Sequence, residues 1–380
     1  MEVPMPAKRL SLGLAAIAIT GIAAAGTPAT ALPSSIKIGM VETLTGDNSA
    51  YGISIRKGVE LAAQEINASS LLGGSRISLV VADDKADKQE GISVFGKLID
   101  DEKVAAIVGP TLSGTAFAAD PIAQKAGVPV LGTSTTAVGI TAMGDYIFRD
   151  SLPQAAVIPG TLAAVVAKYK PRKAALLFQA DQEYSKSEAE VFKASLAKLG
   201  IQLVGAESYG RGDSDFRTQL RKLWSRKPDI LVLCSLVGEA IPALQQAREI
   251  GIAVPIVGGN GFNSPNILLN APEASEGLIV GSSWFIDSDV PESRAFVEAF
   301  RKRYGGDPDQ FASQGYSGLY ILANAIKRAG SADRGAIRDA LAGIRDLGTT
   351  LGPFSFDANR DPICRSVPLT VKGGKYVLFR

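Results

Sequence analysis

AAIVGPTLSGTA at 105–116 and VPVLGTSTTA at 128–137 decide how this chain reads. Ala105 to Val108 and Pro129 to Leu131 are short apolar runs of buried parallel-strand type, separated by a helix-length segment at 113–126. Each strand empties into a hydroxyl-rich loop. Ser113 then stands at a helix N-terminus, while Thr133, Ser134, Thr135 and Thr136 crowd the end of the neighbouring strand. Hydroxyls and unpaired backbone N–H groups at such an end suit a carboxylate or another small polar group. In open α/β sheets the ligand crevice lies at these carboxyl ends. Taken singly, each loop reads as an N-cap or a turn; two in succession point to a pocket.

Outward from this pair, strands and helices alternate. SIKIGMVETLT reads as a strand, 50–67 as a helix, ISLVVADD as a strand and 87–99 as a helix, and this unit ends near Arg149. The pattern restarts with a helix at 154–169, strand KAALLFQ, helix 185–199, strand IQLVGAESY, helix 215–225, strand DILVLCS, helix 239–250 and strand VPIVGG. GLIVGSSWF, helices at 292–304, 312–329 and 333–341, and short final strands follow. The expected fold is α/β: two doubly wound parallel-sheet lobes joined by a multi-crossover hinge around a cleft. The expected boundaries are a leader at 1–31, first lobe at 32–152, second lobe at 153–283, a return to the first lobe at 284–350, and 351–380 crossing back to the second.

Lys8 and Arg9, the apolar LSLGLAAIAITGIAAA and the small-residue site Ala29-Thr30-Ala31 read as a cleavable secretory signal, so the mature chain is expected outside the cytoplasm. Its removal takes Lys8, Arg9 and Glu2 from a chain of formal charge +2, leaving a charge near +1. That balance argues against nucleic acid as a partner. No later segment has the roughly 18 unbroken apolar residues of a membrane helix. The two cysteines, Cys234 and Cys364, make neither a disulfide framework nor a metal spacing; they pair only if the fold brings them together. Histidine is absent, which removes Ser-His-Asp and Cys-His catalysis, His-ligated zinc and histidine proton shuttles. Catalysis by a carboxylate pair or a lysine base stays open on composition; the expectation is a non-enzyme without cofactor or metal, and a monomer.

Three segments carry a resemblance: IKIGMVETLTGDNSAYGISIRKGVELAAQEIN at 36–67, VAAIVGPTLSGTAFAADPIAQKAGVPVLGTSTT at 104–136, and DQEYSKSEAEVF at 181–192. In this order they resemble the leucine/isoleucine/valine-binding family of type I periplasmic substrate-binding proteins, which deliver ligands to the membrane permeases of ABC transporters. The resemblance spans essentially the whole mature chain. It implies that Tyr51 packs on the ligand, that Ser113 binds its carboxylate, that Ser134 and Thr136 supply contacts from the next strand end, and that Tyr184 closes from the second lobe; Thr135 is a candidate with them from the hydroxyl loop itself. Tyr51 and Tyr184 read otherwise as cover for apolar surface at helix starts.

Two departures set the expected ligand. Where amino-acid binders of the family place an acid to neutralise the ligand ammonium, the matching residue is Asn260, and the second-lobe aromatic is matched by Leu236. Burying an ammonium without a counter-charge costs several kcal/mol. The expected ligand is therefore a small carboxylate without an α-amine, an aromatic or aliphatic organic acid, or a neutral amide-like compound. A branched-chain or other apolar amino acid is the alternative, and a sensor without a transport role is a further one. Glu239 reads as a first-turn helix acid that a register slip would bring near the cleft. Asp83, Asp84 and Asp87 read as strand-end charge and a helix cap. Trp284 and Phe285, and Gln314 or Tyr316 in FASQGYSG, are further candidates for the cleft.

Overall fold

The computed structural model describes residues 1–4 and 32–380; the apolar stretch and cleavage site of the expected leader fall outside the described residues. The first sheet is built from β1 (Ser35–Glu42), α1 (Ser49–Ala68), β2 (Arg76–Asp83), α2 (Lys88–Asp100), β3 (Ala106–Val108), α3 (Ser113–Ala126), β4 (Val130–Gly132) and β5 (Ile147–Arg149). Its strands run parallel in the order β2-β1-β3-β4-β5. β5 is an addition to the sequence reading, because its three residues are too short to show a period. Asp87 ends the approach to α2 by accepting from the N–H groups of Gln89 and Glu90 at 2.8 and 2.9 Å, a capping role as expected.

The second lobe holds α4 (Gln154–Tyr169), β6 (Lys173–Gln179), α5 (Glu183–Lys198), β7 (Gln202–Tyr209), α6 (Arg217–Trp224), β8 (Ile230–Cys234), α7 (Val237–Glu249), β9 (Ile256–Gly258), α8 (Pro265–Asn270) and β10 (Ile279–Ser282). The chain then forms α9 (Pro291–Tyr304), α10 (Gln310–Ala329) and α11 (Arg334–Ala342), the small antiparallel strands β11 (Leu347–Thr349), β12 (Gly352–Phe356) and β13 (Pro362–Ile363), and the hairpin β14 (Val367–Lys372) and β15 (Lys375–Leu378). α10 packs along α1 of the first lobe. β14 pairs antiparallel with β10, so the second sheet has seven strands in the order β15-β14-β10-β9-β8-β6-β7. The backbone thus passes between lobes after β5, after β10 and before β14, which makes the hinge a triple crossing.

β3, β4, β8 and β9 are buried throughout, as expected for parallel strands covered on both faces. Their carboxyl ends face each other across the lobe boundary. Cys234 lies buried in β8 and is free, as is Cys364; the fold does not join them. Among the described residues no helix is long and apolar enough to cross a membrane.

Candidate ligand site

α3 begins immediately after the β3 loop with Leu112 at its N-cap, a side chain that offers no cap hydrogen bond. The first N–H groups of α3 are therefore left without a capping side chain at the carboxyl end of the sheet. Ser113 Oγ accepts from Ala137 N–H at 3.3 Å, which leaves its own proton uncommitted among the described residues. Ser134 Oγ donates to the Thr111 carbonyl at 2.5 Å. Thr111 in turn is fixed from β1: its hydroxyl accepts from Thr43 N–H at 2.9 Å and donates to Glu42 at 2.5 Å. Burial pushes the Glu42 carboxyl well above the usual range, partly offset by the Thr111 bond.

Tyr51, Ser113, Ser134, Tyr184, Leu236 and Asn260 line one cavity, joined by Thr111, Leu112, Gly261 and Phe311. Six of the eight residues marked from sequence thus meet, drawn from both lobes. The cavity measures about 20 Å³, room for about one water molecule. Tyr51 packs on Phe311 with ring centroids 4.6 Å apart. Its hydroxyl donates to the Gly261 carbonyl at 2.6 Å, and Gly261 N–H donates to the Tyr184 hydroxyl at 2.8 Å. A Cβ at Gly261 would stand 2.6 Å from the Ser235 carbonyl and 3.3 Å from both tyrosine hydroxyls, so a side chain there would press on that carbonyl and crowd both rings.

Thr136 and Thr135 lie elsewhere. Thr136 lines a smaller space of about 10 Å³ behind the cavity, shared with Gln154, Glu188, Gly259 and Asn260. Thr135 lines neither: a Cβ at Gly132 would meet the Thr135 hydroxyl at 2.2 Å, so its side chain is folded back towards the end of β4. Ser134, Thr135 and Thr136 thus do not share one cavity. The loop turns there because Arg149, at the end of β5, donates from Nη1 to the carbonyls of Thr135 and Ala137 at 2.9 and 2.8 Å while its Nε pairs with Asp361 at 2.6 Å.

Asn260 follows β9 in a one-turn 3₁₀ segment. Its side-chain oxygen accepts from Gln310 of α10, and Gln310 itself accepts from Asn263 at 2.7 Å and Ser282 at 2.6 Å. The amide is therefore held by a network that ties α10 to the second lobe. Leu112 and Leu236, one from each lobe, line both the cavity and a wider mouth of about 390 Å³ that also contains Glu239, Arg211 and Asn48. Lys88 and Glu183 pair across that mouth at 2.5 Å, and Val138 N–H donates to Ser187 Oγ at 2.9 Å. Glu239 is a first-turn acid of α7 at this mouth; burial raises its carboxyl.

The remaining candidates lie apart. Tyr316 donates to Glu65 at 2.6 Å. Gln314 is buried against Ser283. Trp284 and Phe285 line a separate cavity of about 450 Å³ beside the β14–β15 hairpin. Asp83 and Asp84 accept from Leu44, Thr45, Thr43 and nearby backbone, and among the described residues no group of acids or cysteines has metal-binding geometry. Sequence reading missed Phe311, Arg149 and Glu188. Phe311 opens a segment already marked, but Arg149 and Glu188 carried no local signal.

Residues 35–375 match the family model described as periplasmic binding protein. A Leu/Ile/Val-binding protein homologue of Brucella abortus is 30% identical over 333 residues, covering 87% of this chain and 88% of the relative. A leucine-, isoleucine-, valine-, threonine- and alanine-binding protein of Pseudomonas aeruginosa is 28% identical, covering 93% of each chain. Among solved structures, the branched-chain amino acid transporter substrate-binding protein LivJ of Streptococcus pneumoniae, in complex with isoleucine, superposes with a TM-score of 0.84 at 33% identity, covering 90% of this chain and 97% of that one. An ABC transporter solute-binding protein of R. palustris in complex with benzoate gives 0.83 at 26% identity, covering 90% and 95%.

Proposed function

The chain belongs to the periplasmic binding protein family, and from that premise we propose that it is an extracytoplasmic receptor that closes on a small carboxylate and presents it to an ABC importer permease in the inner membrane. The observation that carries this reading is the cavity lined from both lobes, with an uncommitted Ser113 hydroxyl and the uncapped start of α3 on one side and Tyr184 on the other. A carboxylate there accepts hydrogen bonds that the first lobe leaves unused. The described geometry is too tight for such a ligand, at about 20 Å³. Entry therefore requires the lobes to part, with the Tyr51–Gly261 bond as one of the contacts that gives way. Ligand binding then trades lobe-to-lobe contacts for ligand contacts made by both lobes, and this sets the equilibrium between open and closed forms.

The other end of the ligand divides two readings. Asn260 offers an amide where an ammonium calls for a carboxylate, which favours an amine-free aromatic or aliphatic acid; a related protein was solved with benzoate. An apolar amino acid is favoured by the carboxyl of Glu188 behind Asn260, and another related protein was solved with isoleucine. Either way the first-lobe anchor is shared. Calorimetric titration with both series should show Ser113→Ala weakening each acid by about 1–3 kcal/mol; equal affinity in the variant and the parent would remove Ser113 from the site.

A further inference from the structure

Glu188 is wholly buried on α5, one turn beyond Tyr184. Its Oε1 accepts from the Tyr184 hydroxyl at 2.5 Å, while its Oε2 is buried without a partner. The Thr136 hydroxyl, from the first lobe, is likewise buried and unpartnered, and the two line the same space. Asn260 lines both this space and the ligand cavity, and Tyr184, another wall of the ligand cavity, bonds Glu188 directly. Glycine at 259 makes the room: a Cβ there would stand 1.5 Å from Glu188 Oε1. The carboxyl thus occupies the volume that a side chain on the loop after β9 would otherwise fill. That loop is where the sequence reading sought an acid and found Asn260 instead.

We infer that Glu188, with Thr136 across the lobe boundary, receives the ammonium group of an amino-acid ligand whose carboxylate rests on Ser113, and so selects amine-bearing acids over amine-free ones. This rests on the ligand lying between the lobes as proposed above. The titratable groups around Glu188 are Tyr184 on its own helix, Tyr51 on α1, Tyr209 on β7 and Cys234 on β8. None of these brings a positive charge. Lys193, farther along α5, acts on Cys234. Desolvation by burial therefore dominates and pushes Glu188 up to about 8, only partly offset by the hydrogen bond from Tyr184. A ligand ammonium supplies the missing counter-charge and draws the proton off.

The test titrates the full mature chain with L-leucine, L-isoleucine and L-phenylalanine, and with the amine-free acids of the same skeletons: 4-methylpentanoate, 3-methylpentanoate and 3-phenylpropanoate. The expected result is at least tenfold preference for an amino acid over its amine-free partner. Glu188→Gln should erase that preference while leaving the amine-free acid within about threefold. Calorimetry at pH 7 in buffers of different ionisation enthalpy should also record release of nearly one proton per amino acid bound. Proton release is read on the unaltered chain, so it decides the matter even if the variant does not fold. Equal affinity for both series, equal loss of both in Glu188→Gln, or no proton release would each overturn the inference. Failure of the underlying site reading looks different: Ser113→Ala would then change neither series, or neither series would bind, and the inference would fall with it.

Discussion

Tyr51 on α1 and Tyr184 on α5 come from opposite lobes and take opposite ends of one residue, Gly261: the first donates to its carbonyl at 2.6 Å and the second accepts from its N–H at 2.8 Å. Only the Tyr51 bond crosses between lobes. Tyr51→Phe keeps the ring on Phe311 and removes that bond. The closed form should lose about 0.5–1.5 kcal/mol, roughly a two- to tenfold shift towards open in the ligand-free chain. Distances between spin labels on the two lobes would measure it, and an unmoved distribution would show that the bond does not govern closure.

Arg149 holds the hydroxyl loop by two carbonyls and pairs with Asp361, which lies beyond β12 in the segment returning towards the second lobe. Its side chain is only 2% exposed. Arg149→Met keeps much of the volume but orphans the Ala137 carbonyl, leaves the Thr135 carbonyl only a long bond from Ser151 and takes the counter-charge from Asp361, so urea unfolding should show a loss of about 3–5 kcal/mol. A loss below about 1 kcal/mol would mean the loop holds its shape without the arginine.

Glu188 makes stability depend on pH in a definite direction. Its carboxyl rises from 4.5 to about 8 in the folded chain, so between those values the native state holds a proton that the unfolded state releases. Stability from this residue therefore falls as pH rises from about 4.5 to about 8 and is level above. Glu188→Gln has no such proton. Ligand-free, the variant should gain on the parent by on the order of a few kcal/mol between pH 5 and pH 8.5; a difference constant across that range would place the ionisation elsewhere.

Gly259 has extended backbone at φ −90° and ψ −161°, a conformation open to any residue, so its only constraint is space. Gly259→Ala would press Cβ against Glu188 Oε1. It should destabilise the parent, and far less so in a Glu188→Ala background, with a coupling of about 1–3 kcal/mol in a double-mutant cycle. Additive effects would show that the loop yields to the carboxyl without strain.

Much of this protein was legible in its residues because the signals are local. Strand–helix alternation, the two hydroxyl loops and the lack of histidine follow from neighbours in sequence, and so do the tyrosines at the starts of α1 and α5. Helix ends were less so: α5 begins two residues before the expected start, and α7 begins at Val237, which places Leu236 at its N-cap.

What tertiary structure alone decided is which polar groups lose water. In EYSKSEAEVFK, Glu188 has the spacing of an ordinary helix acid among Lys186, Glu190 and Lys193. It is buried because the Gly259 loop, about seventy residues later, packs on it. Thr135 and Thr136 are adjacent and chemically alike, yet the Arg149 anchor folds one towards β4 and leaves the other beside Glu188. Sequence determined which groups stand at the strand ends, since periodicity and turn chemistry act over a few residues. Contacts between distant segments decided which of them keep an unsatisfied bond for a ligand, because burial is set by whatever the rest of the chain brings against them.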